Sequence, residues 1–405
     1  MRGDFIVPTK NTRLWTYSLP VALVLLAPFN ILASLGMDIY LPVVPAMPAI
    51  LGTTPEVVQL TLTLYMIMLG VGQIFFGPLS DRFGRRPILI GGVLVFASTS
   101  LALAMTTSAW LFVLLRLVQA TGAAAMLVAV FATVRDVYAN TPESAVIYSL
   151  MNAMLAFVPA LGPIAGALIA SYLGWGAIFL ALCISALIAL PFVLPKWHET
   201  RQSREHSSSA DFGLVIRSPY FWVYTLAFGT AMGSFFVFFS TAPRVLIAGA
   251  GLSELGFSVA FATVAVVMIA TTRFAKCFVA RWEINGCVIR GMLILLFSAI
   301  LLGLGEIFLT PSFWSFVLPM WLVAVGIVLT TSVTANGALQ EFSELAGTAV
   351  ALHFCVQSLI VGVIGTGTVI VLNGGTASPL IAYTGGMAAI TLAALTGLTR
   401  YKRQR

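Results

Sequence analysis

Long apolar runs closed by short polar breaks succeed one another from Leu14 to the end of the chain. A helix rises about 1.5 Å per residue and a bilayer core is about 30 Å thick, so about 20 apolar residues make one crossing. The runs predict twelve spans, at 15–41, 56–79, 87–106, 109–134, 143–170, 175–194, 219–246, 253–275, 288–309, 312–335, 345–372 and 378–399. Met1–Arg13 is polar and basic, and could open a signal peptide. The run behind it is too long for such a peptide and no small-residue cleavage site follows, so it reads as the first span.

Composition agrees with lipid as the solvent. Charged residues make up 9% of the 405 and hydrophobic ones 60%, whereas a water-soluble domain carries about 25% charged residues. A dozen spans need about 240 residues, which leaves short connections and no large soluble domain. The predicted class is an all-α membrane protein.

Charge then sets the topology. With the N-terminus in the cytoplasm, every lysine and arginine except Arg116 and Arg244 falls on the cytoplasmic side. The opposite topology would break the positive-inside rule, so both termini are expected in the cytoplasm. The net charge of +7 is spent on this pattern, and no nucleic-acid partner is expected. Four cysteines (Cys183, Cys277, Cys287, Cys355) without a CxxC pair, and three histidines, offer no metal-ligand set. No cofactor is expected.

The polar stretch KWHETRQSREHSSSADFG (196–213) divides the spans six and six. The expected organisation is a six-helix bundle at 1–195, a cytoplasmic linker at 196–218 and a second bundle at 219–405. The loops after spans 2 and 8 are related by 199 residues, which sets Arg82 against Arg281, Phe83 against Trp282 and Asp81 against Ala280. A diverged duplication would leave such a trace, with the substrate path between pseudo-symmetric halves. Coincidence between two basic loops would leave it too.

Ionisable residues inside spans are costly and point to function. Asn30, Ser34 and Asp38 recur every fourth residue in span 1, so they form one polar stripe. Facing a water-filled cavity, Asp38 could take up and release a proton as the cavity opens to either side. The competing reading is an interfacial acid among lipid headgroups. Arg116 in span 4 has no acid within a helical turn and shares a face with Gln119. It either holds a polar substrate group and sets the field at Asp38, or locks helix packing. Glu306 reads as interfacial, and His353 with Gln357 as hydrogen-bonded packing. Tyr65 and the phenylalanines at 235, 236, 238 and 239 supply aromatic surface for a cavity. At most half of those four can point inward, because successive helical positions turn by about 100°. Span 10 carries small polar residues, TTSVTANG (330–337), which can bond across helices or line a path.

The loop after span 2 reads GPLSDRFGRRP (77–87). Gly77 and Gly84 allow close approach and a tight turn. Asp81 among Arg82, Arg85 and Arg86 can hold helices together at the cytoplasmic face, and Asp136 after span 4 could bridge Arg85 when that face is closed. Charge pairs present in one state and broken in another make a switch; two solvated charges at a helix end are the plainer alternative.

This segment resembles the signature loop of the major facilitator superfamily, and further segments resemble its drug exporters. DIYLP (38–42) is similar to their first-span motif. LLRLVQATGAA (114–124) resembles the family's RxxQG segment, with Ala120 at the glycine. VPALGPIAGA (158–167) holds the GPIAG core of the antiporter motif in Gly162, Pro163 and Gly166, with Val158 at the upstream glycine. Along its full length the chain resembles the bicyclomycin/chloramphenicol-resistance group, and within it the chloramphenicol exporters.

The resemblance implies a bacterial inner-membrane drug/proton antiporter, a transporter and not an enzyme, working as a monomer by alternating access. Asp38 would couple the proton, while Asn30, Asp38, Tyr65, Arg116, Gln119 and Phe235 would meet the drug. A proton-coupled nutrient importer is the rival reading, disfavoured by GPIAG. A membrane sensor or embedded enzyme lacks a soluble signalling domain and a nucleophile–base pair, and a gated 6+6 bundle would be an unusual channel.

Overall fold

Backbone groups in lipid must bond within their own segment, which leaves helices and closed barrels as the spanning structures. The computed structural model describes residues 17–138, 143–201, 212–342 and 346–404, and no strand occurs among them. Its helices are α1 (Leu19–Asp38), α2 (Met47–Leu51), α3 (Pro55–Phe83), α4 (Arg85–Met105), α5 (Ala109–Tyr138), α6 (Glu143–Leu173) and α7 (Gly176–Val193). After the connecting segment come α8 (Phe212–Ile216), α9 (Pro219–Pro243), α10 (Glu254–Phe308), α11 (Leu318–Leu339), α12 (Ala346–Leu359), α13 (Thr366–Val371) and α14 (Ser378–Gln404). Wider π-helical turns at Arg244–Gly249, Phe313–Val317 and Ile360–Gly365 lead out of α9, into α11 and from α12 to α13.

Among the described residues, nine helical segments are long and apolar enough to cross a membrane. Phe157–Leu173 and Gly176–Pro191, bent by 117° at their break, supply a tenth candidate. One of the nine, α10, runs for 55 residues. Drawn straight it would be about 83 Å long, far beyond a bilayer core of about 30 Å. It is not straight: Glu283 (φ 56°, ψ −176°) interrupts it. The Cys287 Sγ comes within 3.5 Å of the Phe278 carbonyl, where a straight helix would hold residues nine apart about 13 Å away. The chain therefore reverses at Glu283, and the loop expected between 275 and 288 is helical apart from that residue.

Gly84, the residue 199 places before Glu283, has φ 105° and ψ 159°. Both reversals thus use one left-handed residue at corresponding positions. Glycine adopts this conformation freely, whereas for other residues it is strained by about 1–3 kcal/mol. Glu283→Gly is expected to stabilise the detergent-solubilised protein by about 1 kcal/mol. A raised thermal midpoint would register it, and an unchanged or lowered one would contradict the strain.

Small residues bring the helices together. A Cβ on Gly92 of α4 would lie 2.9 Å from the Gly122 carbonyl of α5, and one on Gly122 would lie 2.7 Å from that of Gly92. Gly291 of α10 and Gly326 of α11 repeat this contact at 3.0 Å each way. Large apolar side chains such as Phe75, Met105 and Phe297 are exposed, as a lipid-facing surface requires. Exposed Trp110, Tyr172 and Trp314 lie at helix ends on one pole, the place of an interfacial aromatic belt. That distal pole also carries the end of α1 and the short α2; the loop pole carries the reversals at Gly84 and Glu283.

The connecting segment packs on both sides of the molecule. Trp197 is buried edge-on against Phe29 of α1, with ring centroids 6.1 Å apart. Val215 of α8 is buried with Phe221, Phe342 and Leu352.

Candidate functional site

At the distal end of α1 the chain brings an acid, a cation and aromatic rings into one buried region. Asp38 closes the helix with 7% exposure. Among the described residues its carboxylate has no ion-pair or hydrogen-bond partner. Gly162 and Gly166 of α6 set its surroundings. A Cβ on Gly162 would stand 3.2 Å from that of Asp38, and one on Gly166 would overlap the Ile39 carbonyl. The GPIAG glycines therefore let α6 lie directly on the Asp38 turn, and the carbonyl of Pro163 accepts a 3.0 Å hydrogen bond from Ser258 of α10.

Arg116 is fully buried in α5. Its Nη1 donates to the Gly36 carbonyl at 2.8 Å and to Gln119 Oε1 at 2.6 Å. Gln119 in turn donates to Ser100 Oγ at 2.7 Å, and Ser100 to the Phe96 carbonyl at 2.6 Å. The guanidinium lies 4.5 Å from the Tyr65 ring centroid, 5.0 Å from that of Tyr40 and 5.9 Å from that of Phe179. Among the described residues its Nε and Nη2 are buried without a hydrogen-bond partner. The charge is thus held by carbonyl dipoles and ring faces, with two donors in reserve. Tyr65 is fixed by donating to the Ala33 carbonyl at 2.8 Å, and Tyr40 shares a 2.8 Å hydrogen bond with Thr61.

Asn30, two turns below Asp38, is also buried. Its Nδ2 reaches the Met151 carbonyl at 3.4 Å, and its Oδ1 has no partner among the described residues. Phe235 is half-buried against Phe239 and Phe261. Its neighbours at 236, 238 and 239 are buried, with Phe238 stacked between Phe261 and Phe316 at 5.2 and 5.6 Å. Those rings pack α9 against its neighbours. His353 pairs its Nδ1 with Thr225 Oγ1 at 2.8 Å among phenylalanine rings, and Gln357 donates to Ser358 Oγ at 2.9 Å. Glu306 accepts a 2.9 Å hydrogen bond from Ser378. A cavity of about 570 Å³ between Leu301 and Leu322 is apolar, does not have Asp38 in its lining, and is bordered by exposed Phe308 and Trp314.

The loop pole holds an ionic cluster. Arg85 pairs with Asp81 at 2.6 Å and with Asp136 at 2.7 Å, and Arg135 reaches Asp81 at 3.5 Å. Arg82 lies 5.4 Å from the Phe83 ring centroid. Gly77 has open space where a Cβ would stand. Glu199, which the sequence did not single out, completes this cluster from the connecting segment. Its carboxylate accepts from the backbone N–H of Arg85 at 2.8 Å and of Arg86 at 3.1 Å, the unpaired donors at the start of α4. Arg86 returns a 3.2 Å hydrogen bond to the Leu194 carbonyl. Glu199→Ala is expected to cost about 1–2 kcal/mol, the scale of a lost helix cap with its charge. Thermal unfolding in detergent would show it, and an unchanged midpoint would count against this docking.

Comparison with known proteins places this architecture. The sequence profile of the Major Facilitator Superfamily matches residues 26–366. The chain belongs to the Major Facilitator Superfamily. It is 46% identical over 392 residues to the chloramphenicol resistance protein of Pseudomonas aeruginosa, covering 96% of this chain and 93% of that protein. It is 28% identical over 377 residues to a bicyclomycin resistance protein homolog of Haemophilus influenzae, covering 91% and 94%. In three dimensions the facilitator fold matches a POT family transporter crystallised with 5-aminolevulinic acid, with TM-score 0.73, 12% identity, and 95% and 96% of the two chains covered.

Sequence reading had located Asp38, Arg116, Gln119 and the GPIAG glycines in different spans; the fold sets them around the end of α1. Tyr40, Ser100 and Phe179 were not singled out. Tyr40 stands inside the quoted DIYLP, and that was its signal; nothing near Ser100 or Phe179 announced their partners.

Proposed function

We propose that this facilitator is a drug efflux transporter of the bacterial inner membrane that exports chloramphenicol-like molecules in exchange for protons. The Pseudomonas relative supports the drug class. The coupling reading is carried by one observation: Asp38 is a buried carboxylate without a partner among the described residues, packed against the antiporter-motif glycines. An intramembrane acid of this kind is a candidate proton carrier.

The reading takes α10 as two crossings, meeting at Glu283, and α6 and α7 as one each. This gives twelve spans and two halves, α1–α7 and α9–α14, with both termini cytoplasmic and the monomer as the working unit. The matching reversals at Gly84 and Glu283 and the repeated glycine contacts favour two related halves. The loop pole is then cytoplasmic. A proton enters from outside to Asp38, the halves rock, and the proton leaves inward while drug leaves outward. For a neutral drug each cycle carries net positive charge inward, and the membrane potential adds about 2.3 kcal/mol per charge per 100 mV. Arg116, held by rings and carbonyls, keeps two donors for a polar group of the drug.

Inverted membrane vesicles test this reading. Respiration acidifies their interior, so labelled chloramphenicol is expected to accumulate inside and to leak out when a protonophore is added. Accumulation indifferent to the protonophore would remove proton coupling, and absence of accumulation would remove the phenicol substrate. Net uptake of a solute in whole cells would favour the importer reading instead.

A further inference from the structure

Among the described residues, the side-chain hydrogen bonds that join α1–α7 to the later helices lie toward the distal pole. They are Gln59 to Ser240 and Arg244, Thr63 to Thr366, and Ser258 to the Pro163 carbonyl. The ion pairs of the loop pole are of the other kind: Arg85, Asp81, Asp136 and Arg135 all belong to helices before the connecting segment. In this conformation the hydrogen bonds between the halves are gathered at one end, while α3 and α12 also pack closely where Gly70 meets Ser358.

Gln59 is at the centre of that fastening. It lies in the second turn of α3 and is 1% exposed. Its Nε2 donates to Ser240 Oγ at 3.1 Å and its Oε1 accepts from Arg244 Nη2 at 3.3 Å. Both ends of one amide are therefore satisfied by the opposite half, one of them by a charged donor. Arg244 opens the π-helical turn that ends α9 and its guanidinium fills the space where a side chain on Gly374 would stand. A cavity of about 410 Å³, bounded by Pro45, Pro48, Val58, Arg244 and Gly375, brings open space up to this point. One turn inward the seam continues with the Thr63–Thr366 pair. A buried amide that loses its partners keeps the full cost of desolvation, so such a contact closes well and breaks only when water can replace both partners.

We propose that Gln59 is the latch of the distal pole, holding the exit closed through Ser240 and Arg244 and parting from both when the transporter opens outward. The proposal rests on the alternating-access reading above. It assigns Gln59 and Arg244 a positioning role: they set the balance between the two conformations and do not carry the proton.

The test reads conformation directly, so it does not depend on the drug. Hydrogen–deuterium exchange is measured on the purified full chain as intact protein, Gln59→Leu and Ser240→Ala. Gln59→Leu keeps the side chain's bulk and removes both bonds. It is expected to speed exchange of the amides around 55–63 and 240–250 about tenfold, the effect of removing about 1.4 kcal/mol from a closing equilibrium. Ser240→Ala, which removes one bond, is expected to give a smaller increase at the same places. Exchange around 80–90 should stay equal or slow, which separates opening from general unfolding. Unchanged exchange at both distal segments in Gln59→Leu would overturn the latch. So would a rise spread evenly over the whole chain, because it would mean lost packing. A cysteine pair at 59 and 240, joined by a short thiol crosslinker with the native cysteines replaced by serine, gives the complementary readout. Transport should stop on crosslinking, and transport at the uncrosslinked rate would overturn the proposal. If the intact protein moved no phenicol, the exchange result would still decide the latch.

Discussion

Asp38→Asn is expected to reduce proton-driven accumulation of chloramphenicol to the level of vesicles without the protein. The asparagine matches the shape of the neutral acid, so the Asp38 turn, its contact with Gly162 and the fold should survive. What disappears is the ability to bind and release a proton at a buried carboxylate that has no partner among the described residues. Asp38→Glu should keep part of the activity, because it keeps the ionisable group and changes its reach by one methylene. Equal accumulation by Asp38→Asn and the intact protein would remove Asp38 from coupling, whatever the substrate. Loss of membrane-inserted protein in the variant would instead assign the residue to folding, and immunoblotting of the vesicles separates these outcomes.

Gly166→Val is expected to have the second-largest effect. The side chain that glycine lacks would overlap the Ile39 carbonyl oxygen. This is a backbone atom, which cannot swing away like the end of a flexible side chain. Overpacking of this kind costs about 1–3 kcal/mol even where neighbours can shift. Relief here requires α6 to move off the end of α1, which moves the Asp38 turn with it. Transport should fall to background while much of the protein still inserts. Gly166→Ala should be intermediate. Gly303→Ala, placed where the structure leaves open space, is the comparison for a glycine without such a contact. Transport by Gly166→Val near the level of the intact protein would show that the α1–α6 contact is looser than the structure has it.

What was legible in the sequence follows from the range of the physics. Spans are local properties of apolar length, and the long apolar helices among the described residues lie where hydropathy put them. The loop between spans 8 and 9 was misjudged for a physical reason. A basic stretch can stay helical at a membrane surface, and a single residue, Glu283, makes the reversal that a polar loop was expected to make. The Asp136–Arg85 pair could be anticipated because both ends belonged to charged clusters beside span ends. It forms here within the first half while the bonds between the halves lie at the other pole, so it is not reserved for a closed loop pole. Glu199 could not be anticipated: its partners are backbone N–H groups at the start of a helix more than a hundred residues earlier, which leave no mark in sequence. Arg244 stood out as an outer cation, but its partner Gln59 is an ordinary polar residue 185 positions away. Arg116 has no acid within a helical turn, so its partner had to come from another helix, backbone carbonyls or substrate. The fold provides the Gly36 carbonyl and three aromatic rings, a solution that no charge pattern announces.

The exchange of drug for protons is tested most directly in liposomes holding the purified protein, a pH-sensitive dye and a high internal concentration of chloramphenicol. Potassium and valinomycin on both sides clamp the membrane potential. On dilution the drug runs out down its gradient, and antiport must bring protons in, so the interior is predicted to acidify. Asp38→Asn liposomes and liposomes without drug should show no such change. Labelled drug leaving through the intact protein while the internal pH stays constant would contradict the account.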